Sequence, residues 1–279
     1  MNDAGAVGGI TSDAAFGGHD ASAARWFAAQ PGWWHDHYIV AVDAIADFLA
    51  GDGLSIVGRD VLDLGCGDGI IAQGMFQRLG PRSIAGVDLV DVDRDFLDRL
   101  AIDNGIEPLT SADPVRFARS TETGLPAGDR SFDVVVAWSV FEHVADIASL
   151  LCEVERVLRP GGLVFLCIWP LWYSEHGSHL WPWFDTPFAH LEMSDDELSD
   201  QLRQRTGDAE LAQAMLELRR SCNAATVDDL QSAIVDAGLY LAKVELQTGA
   251  IHLSPALQRI PVSQLAIAGV KMLAVTQKS

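Results

Sequence analysis

The stretch Val61–Gly69, VLDLGCGDG, decides how the chain is read. A short apolar run ends in three glycines spaced two apart, Gly65, Gly67 and Gly69. Lacking Cβ, they let the backbone leave a strand sharply and approach a ligand closely. A dinucleotide fingerprint would read GxGxxG, with a pyrophosphate on the N-terminus of the next helix. Here the spacing is GxGxG and acids flank it, Asp63 just before and Asp68 inside. Carboxylates so placed oppose a pyrophosphate and suit a ligand bearing an ammonium or a sulfonium. Asp88, closing the next apolar run, follows at about 20 residues, the separation at which a carboxylate takes ribose hydroxyls.

Outward from this stretch the chain alternates. The apolar runs at 61–64, 84–89, 115–118, 132–138 and 163–169 read as buried strands. Between them, 70–79, 92–102 and 147–158 read as helices. Such alternation implies βαβ units and a parallel sheet covered on both faces. Residues 170–190 are dense in Trp, His and Pro, and two acidic helices follow around 195–205 and 208–220. TVDDLQSAIVDAG then carries a capping box at Thr226 and Asp229 and a stop at Gly238. Strands at 239–246 and 269–277 close the chain. The expected fold is α/β, Rossmann-like and doubly wound, with a mostly parallel seven-stranded sheet. Residues 1–24 are a flexible tail and 25–55 an N-terminal helical lid, on which Tyr38, Val42, Ile45 and Leu49 recur at helical spacing. The core comprises 56–170 and 223–279, and 171–222 form a helical and aromatic insertion after the fifth strand.

Bulk composition narrows the partners. The 279 residues are 49% hydrophobic, enough for a real core, and carry 19 basic against 39 acidic residues, a formal charge of −20. That balance repels nucleic acid, whose binding rests on phosphate neutralisation by Lys and Arg. No run approaches the roughly 18–20 apolar residues of a membrane span. The N-terminus lacks the basic head and apolar core of a signal peptide. A cytoplasmic protein with a small-molecule partner is expected, with neither nucleic acid nor membrane. Cys66, Cys152, Cys167 and Cys222 form no CxxC pair and read as reduced and structural.

A ligand with a ribose, positive charge and no phosphate matches S-adenosylmethionine and not NAD. VLDLGCGDG, IAGVDL, GLPAGDRSFDVVVAWSVFEHV (124–144) and LRPGGLVFL (158–166) together resemble the ordered motifs of class I S-adenosylmethionine-dependent methyltransferases of the small-molecule type. The resemblance implies that Asp63, Gly65, Cys66 and Gly67 border the methionine part of the cofactor. Asp88 would take the ribose diol and Leu89 pack on adenine. The slot where the family often has an adenine-side Asp holds Thr121, with Glu122 next to it. Trp138 and Ser139 would flank the reacting methyl group, and S-adenosylhomocysteine would be the product. A non-catalytic S-adenosylmethionine-binding sensor or scaffold, and a nicotinamide-dependent oxidoreductase, are the alternatives.

Methyl transfer is an in-line displacement, so holding the acceptor supplies much of the catalysis. Aromatic walls exclude water and favour a sulfonium. Trp169, Trp172, Tyr173, Trp181, Trp183 and Phe184 are the candidate acceptor-pocket residues, with core packing as the plainer reading of several. A hydroxyl acceptor must lose a proton, and histidine is the natural base near neutrality. His176 and His179 are candidates; His143 is a third, with a loop-holding role favoured for it. O-methylation is therefore preferred slightly to N- or C-methylation. No metal site is expected: Glu175, His176 and His179 lack a visible further donor, and the acidic triad of catechol-type enzymes is not evident. In WWHDHY, the residues Trp34, His37 and Tyr38 form either a lid on the cofactor or a docked aromatic face. Leu198, Leu202, Leu211, Met215 and Leu218 form a helical stripe that caps the site, meets a second subunit in a homodimer, or packs in the core.

Overall fold

The computed structural model describes residues 21–277. The chain opens with α1 (Ala21–Ala28), α2 (Trp33–His35), a π-helical turn over Asp36–Ala41, and α3 (Val42–Ala50). Next come β1 (Asp60–Leu64), α4 (Ile70–Leu79), β2 (Ser83–Asp88), α5 (Arg94–Asp103), β3 (Val115–Arg119), β4 (Phe132–Trp138), α6 (Ile147–Val157) and β5 (Leu158–Ile168). Three helices follow β5, namely α7 (Ala189–Glu192), α8 (Asp195–Thr206) and α9 (Ala209–Ser221). The chain ends with α10 (Val227–Asp236), β6 (Leu239–Thr248), α11 (Val262–Leu265) and β7 (Ile267–Thr276). The seven strands form one sheet in the order β3-β2-β1-β4-β5-β7-β6, with β7 antiparallel to both neighbours. The expected α/β fold is the one found.

The unbroken apolar runs are explained by burial on two faces. Along β4, Val134, Val136 and Trp138 enter one core while Val135 and Ala137 enter the other; β5 splits Phe165 from Leu166 in the same way. A period of two with both faces covered leaves no polar alternation in the sequence. One core is closed by the N-terminal helices, α4, α8 and α9, the other by α6 and α10. Tyr38, Val42, Ile45 and Leu49 all face the first core, as their spacing predicts.

Three details depart from the sequence expectation. Helix α1 begins at residue 21, inside the stretch read as tail, because Ala23, Phe27 and Ala28 bury themselves; the tail reading of residues 1–20 lies outside the described residues. Strand β5 starts at Leu158 rather than 163, and its register with β4 shifts between Phe132 and Val134, where Gly161 (φ +77°) interrupts the pairing. The N-terminal helix carries a π-helical turn that no residue pattern announced.

Phe165 is fully buried, edge-on to Phe48 at 5.2 Å and stacked with Trp138 at 6.3 Å. Phe165→Ala is expected to cost about 3–5 kcal/mol of unfolding free energy, measured as a lowered urea midpoint.

Candidate active site

At the end of β1 the chain turns under Asp88. The N–H groups of Gly65 and Cys66 donate to the Val87 carbonyl at 2.8 and 3.0 Å. Gly67 N–H donates to Asp88 Oδ2 at 3.0 Å, and Val90 N–H to Oδ1 at 3.2 Å. Gly65 has φ +69°, and a Cβ there would lie 2.4 Å from Val140 Cγ2, so only glycine lets β1 pass beneath the loop after β4. Each Asp88 oxygen keeps acceptor capacity after its backbone bond. Burial, more than neighbouring charge, holds the Asp88 carboxyl above the usual carboxylate range.

Two more acids stand behind it. Asp63 is buried, its Oδ2 has no hydrogen-bond partner, and burial followed by the charges of Asp88 and Asp68 pushes its carboxyl up to about 8. Asp68 accepts a hydrogen bond from Trp33 Nε1–H at 2.7 Å, which ties the N-terminal helix to the glycine loop. A positive group arriving beside three clustered carboxyls relieves their mutual repulsion; a diphosphate adds to it.

The loop opens into a cavity of about 520 Å³ beyond the carboxyl ends of β1 and β2. This is where the strand order reverses between β1 and β4, the place where doubly wound sheets hold ligands. One end is walled by Leu64, Gly65, Asp88, Leu89, Thr121 and Glu122. The other is walled by Val140, His143 and Val144 from the loop after β4, and by Ala214, Leu218 and Ser221 from α9. Ala23 of α1 and the exposed Glu217 and Arg220 also line it. The residues the sequence did not single out are chiefly those of α9. Their signal was the stripe ending in Leu218, which left open whether the helix capped the site.

The candidate residues divide by position. Gly65, Asp88, Leu89, Thr121 and Glu122 border the cavity; Asp63, Cys66 and Gly67 lie behind that wall. Trp138 is buried against Phe165, and Ser139 (φ +52°) is fully buried with its hydroxyl on the Trp169 carbonyl. Trp34 stacks on Tyr38 at 5.1 Å, and the Tyr38 hydroxyl donates to Gln77, so both dock on α4, away from the cavity. The contact with the glycine loop is made instead by their neighbour Trp33.

None of the six candidate aromatics is among the residues lining this cavity. Trp183 packs on Trp26 at 4.7 Å, and Trp181 on Trp169 at 5.5 Å and on Phe27 at 6.3 Å. Trp172 lies between His190 and Arg219, Phe184 lies beneath Arg205, and Tyr173 is half-buried. Trp181 and Trp183 join the insertion to the N-terminal helices by ordinary apolar burial.

Of the three candidate histidines, only His143 borders the cavity. His176 sits beside Glu175 (3.6 Å) and Trp169, and His179 is fully buried. The tautomer of His143 follows from its partner. Ser221 spends its single O–H on the Leu218 carbonyl at 2.7 Å, so its oxygen accepts from His143 Nδ1–H at 2.8 Å. Nε2 therefore carries the lone pair, and it is closed to solvent without a partner. Burial lowers the imidazole to about 4.

Comparison with known proteins agrees with this geometry. A family profile described as a methyltransferase domain matches residues 33–207. The ubiquinone biosynthesis O-methyltransferase of Alkalilimnicola ehrlichii is 30% identical over 156 residues, 52% of this chain and 58% of that protein. The S-adenosylmethionine-dependent methyltransferase of Mesorhizobium loti superposes with a TM-score of 0.51 at 15% identity, over 84% of this chain and 99% of that one. A methyltransferase solved with the Haloferax volcanii Trm112 methyltransferase activator gives 0.56 at 18%, over 92% and 97%. The chain belongs to the methyltransferase-domain family, in its class I, S-adenosylmethionine-dependent group. Its match spans little more than half the length of the first curated relative. No helix among the described residues is long and apolar enough to cross a membrane.

The raised Asp63 carboxyl has a stability consequence of definite sign. Unfolded, it titrates near 3.9; folded, near 8. Between these values the folded chain holds a proton the unfolded chain has lost, so this group's contribution falls as pH rises through the window. Asp63→Asn is expected to flatten the decline in urea midpoint between about pH 4 and about pH 8 relative to the unsubstituted chain.

Proposed function

We propose that the protein transfers a methyl group from S-adenosylmethionine to an acidic hydroxyl, phenolic or enolic, of a small neutral or cationic molecule. The supporting observation is a single continuous cavity that joins the Gly65 and Asp88 wall to an apolar wall made by Val144, Ala214 and Leu218. The residues fit the cofactor: a glycine that tolerates no Cβ, a buried carboxylate with spare acceptor capacity, and acids that favour positive charge. A relative named for O-methylation in ubiquinone biosynthesis is consistent with a hydroxyl acceptor.

When bound, the cofactor supplies an electrophilic methyl group. Asp88 would accept from the ribose hydroxyls while its backbone bonds keep it aimed. Leu89, Thr121 and Glu122 would border the adenine. The backbone of Gly65–Gly67 would border the aminocarboxylate end, with the buried Asp63 carboxyl behind it. At the far end, Val144, Ala214 and Leu218 would orient the acceptor and exclude water, which is most of what an in-line displacement requires. His143 would shape this wall. Its bare Nε2 is buried, so an acidic hydroxyl that yields its proton to water on the open side suits the site better than an alcohol needing a strong base.

Two substitutions test the two ends. Asp88→Ala removes hydrogen bonds to a charged group, worth about 1.5–3 kcal/mol, and is expected to weaken S-adenosylhomocysteine binding about 10- to 100-fold by calorimetry. Leu218→Trp fills the acceptor end; it is expected to leave that affinity within about twofold while slowing turnover on the order of a hundredfold. Turnover is read as S-adenosylhomocysteine released with a panel of phenols, enols, amines and carboxylates. Tight cofactor binding with no product from any acceptor would overturn the reading.

A further inference from the structure

Behind the His143 wall, three segments distant in sequence bring His143, His179 and Cys222 together, with one donor atom of each within 4.8 Å of the others. The two imidazole centroids are 5.0 Å apart, and Cys222 Sγ is 3.9 Å from His143 Nδ1. His179 is fully buried, and neither of its ring nitrogens has a hydrogen-bond partner. Its backbone is left-handed (φ +61°), a conformation that a side-chain-bearing residue keeps only where its surroundings impose it. Glu142 is also buried, and both its carboxyl oxygens lack partners. Native interiors pair nearly all buried polar atoms. Apolar packing explains none of these.

We propose that His143, His179 and Cys222 bind one divalent ion of the zinc type behind the acceptor wall. Two imidazoles and a thiolate form a borderline-soft donor set that suits zinc or cobalt, whereas magnesium and calcium require six or more oxygens. Nε2 is the nitrogen free to ligate, because Nδ1, the one 3.9 Å from Cys222 Sγ, holds its N–H on Ser221, whose own O–H goes to Leu218; on binding the ring tips Nε2 toward the sulfur. Outer hydrogen bonds of this kind fix the tautomer of metal-bound histidines. On binding, the Cys222 proton leaves to solvent and the sulfur ligates as thiolate. Glu142 stands by to balance the remaining charge. The ion would pin the loop after β4, the turn before α7 and the end of α9, the parts that shape the acceptor end of the cavity. The methyl-transfer reading neither requires this ion nor predicts it.

The test uses the full chain, stripped with a chelator and titrated with cobalt(II) alone, then zinc. One equivalent of cobalt is expected to give a near-ultraviolet sulfur-to-cobalt charge-transfer band that zinc abolishes by displacement, and zinc is expected to raise the Tm. Cys222→Ser should remove the band. His179→Leu, which is close to histidine in volume and offers no ligand atom, should abolish stoichiometric binding. Ser221→Ala should weaken zinc binding about 10- to 100-fold. The thermal shift given by S-adenosylhomocysteine, read on every variant, reports whether the cofactor end is folded and bears on the methyltransferase reading separately. Binding below one equivalent, no charge-transfer band, or a band that survives Cys222→Ser would overturn the proposal.

Discussion

A carboxylate sealed into the end of β2 and tied to two backbone N–H groups is what the rest of the site depends on. Through Gly67 and Val90, Asp88 fixes both the path leaving β1 and its own orientation. The cost is burial of an acid beside Asp63 and Asp68, and the raised Asp63 carboxyl records that cost. A folded state that carries such repulsion without a ligand is one that a cation stabilises. The charge argument drawn from the glycine spacing thus has a physical counterpart in the structure.

The sheet was legible in the sequence because its signal is local. FDVVVAW and LVFLCIW have no polar alternation because both faces of their strands are covered, and the helices between them carry caps and stops that can be read one by one. Thr226 and Asp229 form the capping box their spacing predicts. The wall holding Gly65, Asp88, Leu89, Thr121 and Glu122 was legible for a related reason: the turns after β1, β2 and β3 all open at the same edge of a parallel sheet.

The far end of the cavity, where we propose the acceptor sits, was harder to read because its residues are chosen by packing between segments far apart in sequence. Residue type pointed to the aromatic insertion; Trp183 and Trp181 meet Trp26 and Phe27, and none of the six rings lines this cavity. The wall is made by smaller side chains on α9, whose apolar spacing looks the same whether they face a core or a cavity. The neighbourhood of His143, His179 and Cys222 joins positions up to 79 residues apart, and no local spacing announces it. Trp33 and Trp34 are adjacent and identical in type. Only the path of the helix decides that Trp33 reaches Asp68 while Trp34 turns to Tyr38.

Helix α9 gives the two ends of the cavity separate origins. Gly65, Asp88 and Leu89 are fixed by strand ends that the whole sheet must keep, whereas Ala214, Leu218 and Ser221 form a single line along one helix. Each residue added or removed before that line turns it by about 100° and exchanges the entire lining for a new one. A change of a single codon length, entering α9 between Ala209 and Ala214, thus replaces this face of the cavity while the face built on the strand ends stays as it was.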